Sequence, residues 1–569
     1  MAAMVMAMAG MMNGERAVVF LFITRVLFSL PFSLISHGVA LSLLALSALS
    51  LDILADSSTS LSQFSTRPGA SSGILLGAVT LPAVFISKMI QLTRAVSLHQ
   101  AAIEELESLT MQYWAASASC LCVLIFLCIT IRRSSENMPP PSRSIWHAKF
   151  SLSCIVLHTA VCCVTLGTLS LTSFDTALKL LWMLCHGLAA VNLIQHVLRT
   201  FPSCASIGEA CLVTSGLVLY FGDMLAYTIE KVSGFFMKSE VVQYGSKRSE
   251  ISIIIQGLLL GLLLFPMAFK FVLRMWEFSL STARSEVRTN NEIWRSIIFF
   301  SSLGFIMIVI IPSWMQLVQD FHMHPLLWVL SFIFSEPLKR LSLCAYWICV
   351  IFVSVLRFYN ISKNSKIERI LLRKYYHLMA VSMFVPALIF QPEFLDLSFG
   401  AALAVFLALE IIRVWRISPL GQSVDKFMNA FTDHRDSDLL IVSHFSLLLG
   451  CALPIWISSG YNDRPLAPFS GILSLGIGDT MASVVGYKYG VLRWSKTGKK
   501  TIEGTAAGIT SVLAACSVLL PLLASTGYIL TEHWCSLLLA VTVSGMLEAY
   551  TAQLDNAFIP LIFYSLLCL

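Results

Sequence analysis

Residues 476–505 read GIGDTMASVVGYKYGVLRWSKTGKKTIEGT, and the stretch changes character halfway along. Its first half has the apolar composition of a membrane span, apart from Asp479, and five lysines and arginines follow that aspartate. A carboxylate within a membrane segment is costly unless a cation, a hydrogen-bond network or water meets it, so Asp479 indicates function or pairing. Glycines let a backbone approach a ligand closely. The stretch therefore predicts a site for a metal-bound polyphosphate, such as a nucleotide, at a membrane surface.

The composition of the whole chain indicates the same setting. Of 569 residues, 57% are hydrophobic and 12% are charged, whereas soluble domains have about 25% charged residues. Helices satisfy their backbone hydrogen bonds without water, which predicts an all-α, polytopic integral membrane protein. Apolar runs close to the length of a bilayer span predict about 14 to 16 transmembrane helices. The 15 cysteines show no metal-ligand spacing and are interpreted as small buried residues.

The charge distribution predicts topology and a division of the chain. Beyond residue 358, charge is confined to particular loops. Counting the spans places three of these loops on the same side of the membrane: the basic loops around 363–374 and 493–500, and the mixed loop 425–438. The positive-inside rule assigns that side to the cytosol. Glu548 and Asp555 return to it. We expect a multi-span N-terminal region at 1–358, a candidate scaffold for lipid, and a C-terminal membrane domain at 359–569 that carries the site.

The basic segment 499–505, with the sequence KKTIEGT, has two interpretations. It is either a juxtamembrane patch for anionic lipid or a polyphosphate site. Lysine is a compact cation that binds phosphate, and Thr501 and Thr505 are hydroxyl donors. A helix that starts near Glu503 would add free backbone amides. We favour the polyphosphate interpretation.

Three other charged elements have open interpretations. Asp433 and Asp436 lie either in an ordinary solvated loop or among ligands of Mg²⁺, which takes one or two carboxylates besides phosphate and water. The segment at 373–377, RKYYH, is either topogenic and interfacial or in contact with lipid phosphate. Glu410 and Arg413, one helical turn apart, predict a structural ion pair.

Several motifs occur in a recognisable order. They are Arg373-Lys374-x-x-His377, Phe431-x-Asp433-x-Arg435-Asp436, Leu453-Pro454-Ile455-Trp456, Gly478-Asp479-Thr480, the segment 499–505 and Asp555-Asn556-x-x-x-Pro560. Together they resemble the CTP-dependent polyprenol kinase family, which includes the dolichol, phytol and yeast-type diacylglycerol kinases. The Asp-x-Arg-Asp and Leu-Pro-x-Trp elements favour the dolichol kinases. The resemblance covers residues 360–569.

The resemblance implies transfer of the γ-phosphoryl group of CTP to the hydroxyl of dolichol, which supplies dolichyl phosphate for protein glycosylation. It implies a multi-pass protein of the endoplasmic reticulum membrane with a cytosolic site. Dolichol, CTP as co-substrate and the bilayer are the expected partners, Mg²⁺ or another divalent cation the expected cofactor, and no nucleic acid is expected. The sequence leaves the oligomeric state open.

The resemblance and the residue chemistry together assign roles. The candidate catalytic residues are Asp479, Lys499, Lys500 and Asp555. The candidate CTP-binding residues are Gly476, Gly478, Thr480, Gly490, Arg493, Trp494, Lys496, Lys499, Lys500, Thr501, Glu503, Gly504 and Thr505. The candidate metal ligands are Asp433, Asp436, Asp479 and Asp555, and the candidate contacts to lipid or phosphate are Arg373, Lys374, His377 and Arg435.

Other functions compete with this interpretation. The acceptor is alternatively phytol, another polyprenol or diacylglycerol, and a CTP-using cytidylyltransferase would release pyrophosphate rather than CDP. A polytopic transporter also fits many spans with an intramembrane aspartate. Against a transporter, the two halves show no matching broken helices, and the charges of the C-terminal third cluster on one side.

Overall fold

The computed structural model describes residues 12–57, 64, 66–67, 70–135, 142–170, 172–237, 248–281, 291–364, 369–429, 440–494, 500–525 and 534–569. These residues are mostly helical and form no strand beyond an isolated antiparallel bridge between Arg493 and Thr501. The α-helices are α1 (Gly14–Phe28), α2 (Ile35–Ser57), α3 (Ile74–Ser97), α4 (Ile103–Ser135), α5 (Ser142–Thr168), α6 (Ser173–Thr200), α7 (Ile207–Met237), α8 (Glu250–Ser281), α9 (Asn291–Phe305), α10 (Ile311–Val318), α11 (Pro325–Ser335), α12 (Pro337–Asn364), α13 (Arg369–Phe390), α14 (Pro392–Val414), α15 (Gly421–Asn429), α16 (Val442–Ser458), α17 (Thr480–Tyr489), α18 (Ile502–Ser525), α19 (Trp534–Tyr550) and α20 (Asp555–Leu567).

The apolar runs of the sequence form these helices, as expected for segments that cross a bilayer. Within the described residues, 11 helices are long and apolar enough to span a membrane, and five shorter apolar helices accompany them. Large apolar side chains such as Leu338, Ile348 and Phe352 of α12 are exposed, as lipid-facing side chains are. The prediction of an all-α polytopic membrane protein is confirmed.

The chain forms two compact units. The first comprises the described parts of residues 1–223, 367–381 and 450–569, and the second those of 224–366 and 382–449. The first unit joins the two ends of the sequence, because α1 packs against α19 and α3 packs against α20. Ser87 and Ser565 share a hydrogen bond of 2.6 Å across the latter contact. The N-terminal helices are thus built into the same body as the segment that carries Asp479.

One end of this first unit is fixed by ionic contacts around Asp463. Arg94 of α3 forms a 3.0 Å ion pair with Asp463 and donates to the backbone oxygen of Cys568. Lys88 donates to the backbone oxygen of Tyr461 at 2.7 Å. These bonds hold the C-terminal residues and the loop after α16 against α3.

The second unit is organised around helices α8 and α14, which pack along each other. Its aromatic core includes Phe265, Phe269 and Phe299, whose side chains are fully buried. The Arg413 guanidinium lies 2.7 Å from the Glu410 carboxylate, and both are buried. Glu410 also accepts a bond from the backbone amide of Ile441. The predicted structural pair is therefore confirmed, and it ties α14 to the start of α16.

Candidate active site

Asp479 lies where the backbone changes its helical form. Residues Ile472–Asp479 form a π-helical segment that continues directly into α17. Such widened turns are rare and often occur at functional sites. Gly471 precedes the segment, and a Cβ there would lie only 2.0 Å from the backbone oxygen of Gly450, so glycine permits this close approach to α16.

Two residues of α13 meet the Asp479 carboxylate. The Lys374 ammonium forms an ion pair with Oδ2 of Asp479, and Nδ1 of His377 lies 3.3 Å from the same oxygen. The exposed fractions of the three residues are 9% for Lys374, 4% for His377 and 3% for Asp479. A buried charge requires such partners. Asp479 is therefore paired, one of the two alternatives that the sequence left open, and its partners come from 105 and 102 positions upstream.

Two further contacts align α13 with the segment that carries Asp479. Nδ1 of His377 also lies 3.2 Å from the backbone oxygen of Leu475, and Thr480 donates its hydroxyl to the backbone oxygen of Lys374 at 3.3 Å. Lys374 and His377, candidates for lipid or phosphate contact, therefore face Asp479. Both contacts to Asp479 use Oδ2, and within the described part of the chain no group binds Oδ1.

A second lysine–aspartate pair lies at the start of α20. Nζ of Lys500 is 3.4 Å from both carboxylate oxygens of Asp555 and donates to the backbone oxygen of Glu548. The Lys500 side chain is 33% exposed and that of Asp555 is 13% exposed. Asp555 is the first residue of α20, where the helix dipole favours negative charge. This pair is looser and more accessible than the Lys374–Asp479 pair.

The basic segment forms a hairpin before α18. The backbone amide of Ile502 donates to Leu492 at 2.8 Å, and that of Trp494 donates to Lys500 at 3.3 Å. The Glu503 carboxylate accepts a 2.9 Å bond from the Leu492 amide. Glu503, a candidate for contact with CTP, therefore closes the base of the hairpin.

The two threonines of the segment organise the first turn of α18, which begins at Ile502, close to the predicted start. The Thr501 hydroxyl accepts from the Gly504 amide at 3.2 Å, and Nε1 of Trp494 donates to the Thr505 hydroxyl at 2.9 Å. A Cβ on Gly504 would lie 2.6 Å from the Ala482 backbone oxygen, so glycine lets α18 approach α17. The segment is thus an ordered loop at a helix N-terminus, where the helix dipole favours negative charge.

Other predicted residues take less direct positions. Gly476 packs against Val381 of α13, Gly478 lies against Val512, and Gly490 follows the last residue of α17. Arg493 is exposed beside its bridge to Thr501. The side chain of Arg373 and the whole of Asp433, Arg435, Asp436, Lys496 and Lys499 lie outside the described residues.

Glu548 is a functional candidate that sequence reasoning placed on the same side of the membrane as Asp555, without assigning it a role. Its carboxyl interacts electrostatically with both lysine–aspartate pairs, that is, with Lys374, Asp479, Lys500 and Asp555. It lies near the end of α19, and within the described residues no group hydrogen-bonds to its carboxyl. The signal for it was a lone carboxylate in an apolar span, the same signal that identified Asp479.

Sequence reasoning also missed a polar clamp on residues 551–554, the loop before Asp555. Oε1 of Glu209 accepts from the Leu554 amide at 2.7 Å, and Arg67 donates to the Ala552 oxygen at 3.0 Å. The Thr551 hydroxyl donates to Glu15 at 3.0 Å. Arg67 and Glu209 are buried and pair with each other. The N-terminal helices therefore fix the loop that presents Asp555.

Fold and site together define a polytopic membrane protein with a carboxylate- and lysine-bearing site at the ends of its helices. The family model described as dolichol kinase matches residues 153–455, more than half of the chain. A dolichol kinase of Arabidopsis thaliana, EVAN, is 66% identical over 560 residues, 98% of each chain. The human dolichol kinase is 32% identical over 65% of this chain and 66% of its own, and that of Saccharomyces cerevisiae 32% identical over 42% and 43%.

This protein belongs to the dolichol kinase family. The predicted family is confirmed: the family model matches residues 153–455, and the Arabidopsis relative matches 98% of the chain, including most of the motifs beyond residue 455. No solved structure matches the chain significantly.

Proposed function

We propose that this protein transfers the γ-phosphoryl group of CTP to the terminal hydroxyl of dolichol, at the cytosolic face of the endoplasmic reticulum membrane. The observation that carries the proposal is the juxtaposition of two lysine–aspartate pairs, Lys374–Asp479 and Lys500–Asp555, around Glu548 in a member of the dolichol kinase family. Phosphoryl transfer depends chiefly on positioning and on neutralising charge, and this arrangement suits both tasks.

The donor side of the site is the hairpin with the start of α18. Lys500 is the described cation best placed for a phosphate group, because its side chain is one-third exposed and its contacts to Asp555 are long, at 3.4 Å. It also donates to the backbone oxygen of Glu548. The amides of Ile502, Gly504 and Thr505 in the first turn of α18 already bond to Leu492 and Thr501, so side-chain cations are proposed to supply most of the contacts to phosphate. Lys496 and Lys499 lie in the same hairpin by sequence and are proposed to hold the remaining charge of the triphosphate.

The carboxylates present fit a divalent cation that arrives with the nucleotide. Mg²⁺ prefers one or two carboxylates besides phosphate and water. Oδ1 of Asp479 is a carboxylate oxygen to which no described group binds, and Asp555 holds its lysine loosely. We assign Asp479 and Asp555 as the holders of Mg²⁺, with Asp433 and Asp436 as further candidates. When bound, the metal would neutralise charge on the transferring phosphoryl group.

The test uses membranes that contain the full chain, supplied with dolichol, Mg²⁺ and γ-labelled CTP or ATP. We expect label in dolichyl phosphate with CTP and not with ATP, and its loss in Asp479→Asn and Lys500→Ala. Labelled phytyl phosphate or phosphatidic acid, without labelled dolichyl phosphate, would change the acceptor. Absence of transfer to any lipid alcohol from a well-inserted protein would overturn the proposal.

A further inference from the structure

A narrow cleft lies beside the charged site in the first unit. The π-helical segment 472–479, α18, α19 and α20 enclose it. Its described walls are small or apolar, and the one titratable side chain among them is that of Glu548. Helices α18 and α19 also expose apolar side chains, such as Val518 and Leu538, so the helices that form the cleft are themselves lipid-facing.

The cleft runs from the charged site into the apolar part of the protein. Along α19 its lining residues are Glu548, Ser544 and Val541, a spacing that keeps them on one helix face. Seven residues of helix correspond to about 10 Å. Along α18 the lining passes from Gly508, near the hairpin, to Val512. Each helix thus presents its polar or smallest residues at the charged end and larger apolar ones further in.

Two polar side chains of the cleft have no hydrogen-bond partner among the described residues. Ser544 is only 5% exposed, and no described residue hydrogen-bonds to its hydroxyl. The Glu548 carboxyl likewise accepts no hydrogen bond from the described residues, although its backbone oxygen binds Lys500. Neither group is fully enclosed by the described residues, so both are accessible to a bound hydroxyl. A dry apolar groove would not need these groups, whereas a groove that receives a hydroxyl would use them.

Resting on the function proposed above, we propose that this cleft receives the hydroxyl end of the isoprenoid alcohol and that Glu548 contacts the hydroxyl as the proton acceptor. The cleft is small, so it would take only the hydroxyl-bearing end of a thin, apolar chain, beside the Glu548 carboxyl. Asp479 is less suited to this task, because Lys374 and His377 already occupy one of its oxygens.

The chemical step balances with the groups named. The alcohol oxygen forms a bond to the γ-phosphorus while the bond between that phosphorus and the β–γ bridging oxygen breaks. The electron pair of the broken bond leaves with CDP, and the hydroxyl proton passes to the Glu548 carboxylate. The products are dolichyl phosphate and CDP, and no oxidant or reductant is needed.

The cleft is tested by filling it. Ser544→Leu places a larger side chain inside, and Cys535→Leu makes a similar change at an exposed position of the same helix. We expect Ser544→Leu to lower kcat/KM for dolichol by about 10- to 200-fold, the effect of misfit in an apolar pocket. The KM for CTP should stay unchanged, and Cys535→Leu should behave as wild type. Unaltered kinetics with dolichol in a stable Ser544→Leu protein would overturn the assignment.

The proton acceptor is tested by Glu548→Gln. Loss of a general base lowers kcat by about 10²- to 10⁴-fold, and we expect that loss with unchanged binding of a fluorescent CTP analogue. Glu548→Asp should recover part of kcat. A kcat close to that of wild type in Glu548→Gln would overturn the role of Glu548.

A measurement on the wild-type chain avoids dependence on variants. A photoreactive short isoprenoid alcohol should crosslink to peptides from α18 and α19 around residues 508–512 and 541–545, and excess dolichol should suppress the product. Crosslinks confined to α2–α6 would overturn the cleft assignment. If the wild-type protein phosphorylates dolichol while these tests fail, only the cleft is refuted; if it phosphorylates no alcohol, the proposed function fails.

Discussion

The buried pair between Lys374 and Asp479 allows a prediction that separates stability from catalysis. Lys374→Met keeps the length and apolar stem of the side chain but leaves the Asp479 carboxylate with His377 as its sole described partner. Breaking a buried ion pair costs about 3–5 kcal/mol, because the remaining charge is uncompensated. His377 offsets part of this cost, so we expect about 3 kcal/mol. Larger domains change by about 2 °C per kcal/mol, which predicts a fall in the thermal midpoint of about 6 °C.

The double variant Lys374→Met/Asp479→Leu gives the contrasting result. Replacing both members of a buried pair by apolar residues is often neutral or stabilising by about 1–4 kcal/mol. We therefore expect the double variant to recover most of the thermal midpoint that Lys374→Met loses. Catalysis should not recover, because Asp479 is assigned to the nucleotide-bound metal. Stability is measured by thermal unfolding in detergent or nanodiscs, and activity by transfer of labelled phosphate from CTP to dolichol.

A matched control is available on α12. Lys339 forms a 2.9 Å pair with Glu336, but its side chain is 70% exposed, so Lys339→Met should change stability by less than about 1 kcal/mol. An unchanged midpoint in Lys374→Met would refute the buried pair. Full turnover in the double variant would refute the role of Asp479, whatever its stability.

Three further predictions concern the donor side and the clamp. Lys500→Ala should raise the KM for CTP and lower kcat, while Lys500→Arg keeps the charge and retains part of both; initial rates over a range of CTP concentrations measure this. Trp494→Phe removes the bond to Thr505, worth about 0.5–1.5 kcal/mol, so the KM for CTP should rise about 2- to 10-fold; an unchanged value would contradict the role of this bond in shaping the hairpin. Glu209→Ala leaves Arg67 without its carboxylate and should lower both kcat and thermal stability, whereas Asp175→Asn, which removes a surface pair, should change neither.

Hydropathy and charge were enough to predict the class of fold, because apolar runs of bilayer length have few alternatives to helices. They also identified Asp479 as a residue that needs a partner. They did not identify the partner, because Lys374 is 105 positions away and the contact depends on how α13 packs. The π-helical form of residues 472–479 has no evident composition signal, since its glycines equally suit close helix packing.

The contribution of the N-terminal helices was the larger omission. Three charged residues also lie in or beside apolar runs, namely Glu15, Arg67 and Glu209. The argument that predicted a partner or a function for Asp479 applies to them equally. Their partners are the backbone groups and side chains of residues 551–554, and backbone partners carry no residue-specific pattern that a sequence reveals. A resemblance restricted to residues 360–569 directed attention to one end of the chain, whereas the packed unit uses both ends.

The two lysine–aspartate pairs differ in burial, and the proposed function gives each pair a different task. Lys374 and Asp479 are almost fully buried. If Lys374 moved to a phosphate group, the Asp479 carboxylate would lose its cation in a low-dielectric interior. We therefore expect this pair to persist through the reaction. Lys500 is one-third exposed and sits 3.4 Å from Asp555, so the cost of giving up that contact is small. A triphosphate with its metal can therefore take Lys500 and leave Asp555 facing the cation. On the proposed function, we therefore expect the buried pair to set the geometry of the site and the exposed pair to open when the nucleotide binds.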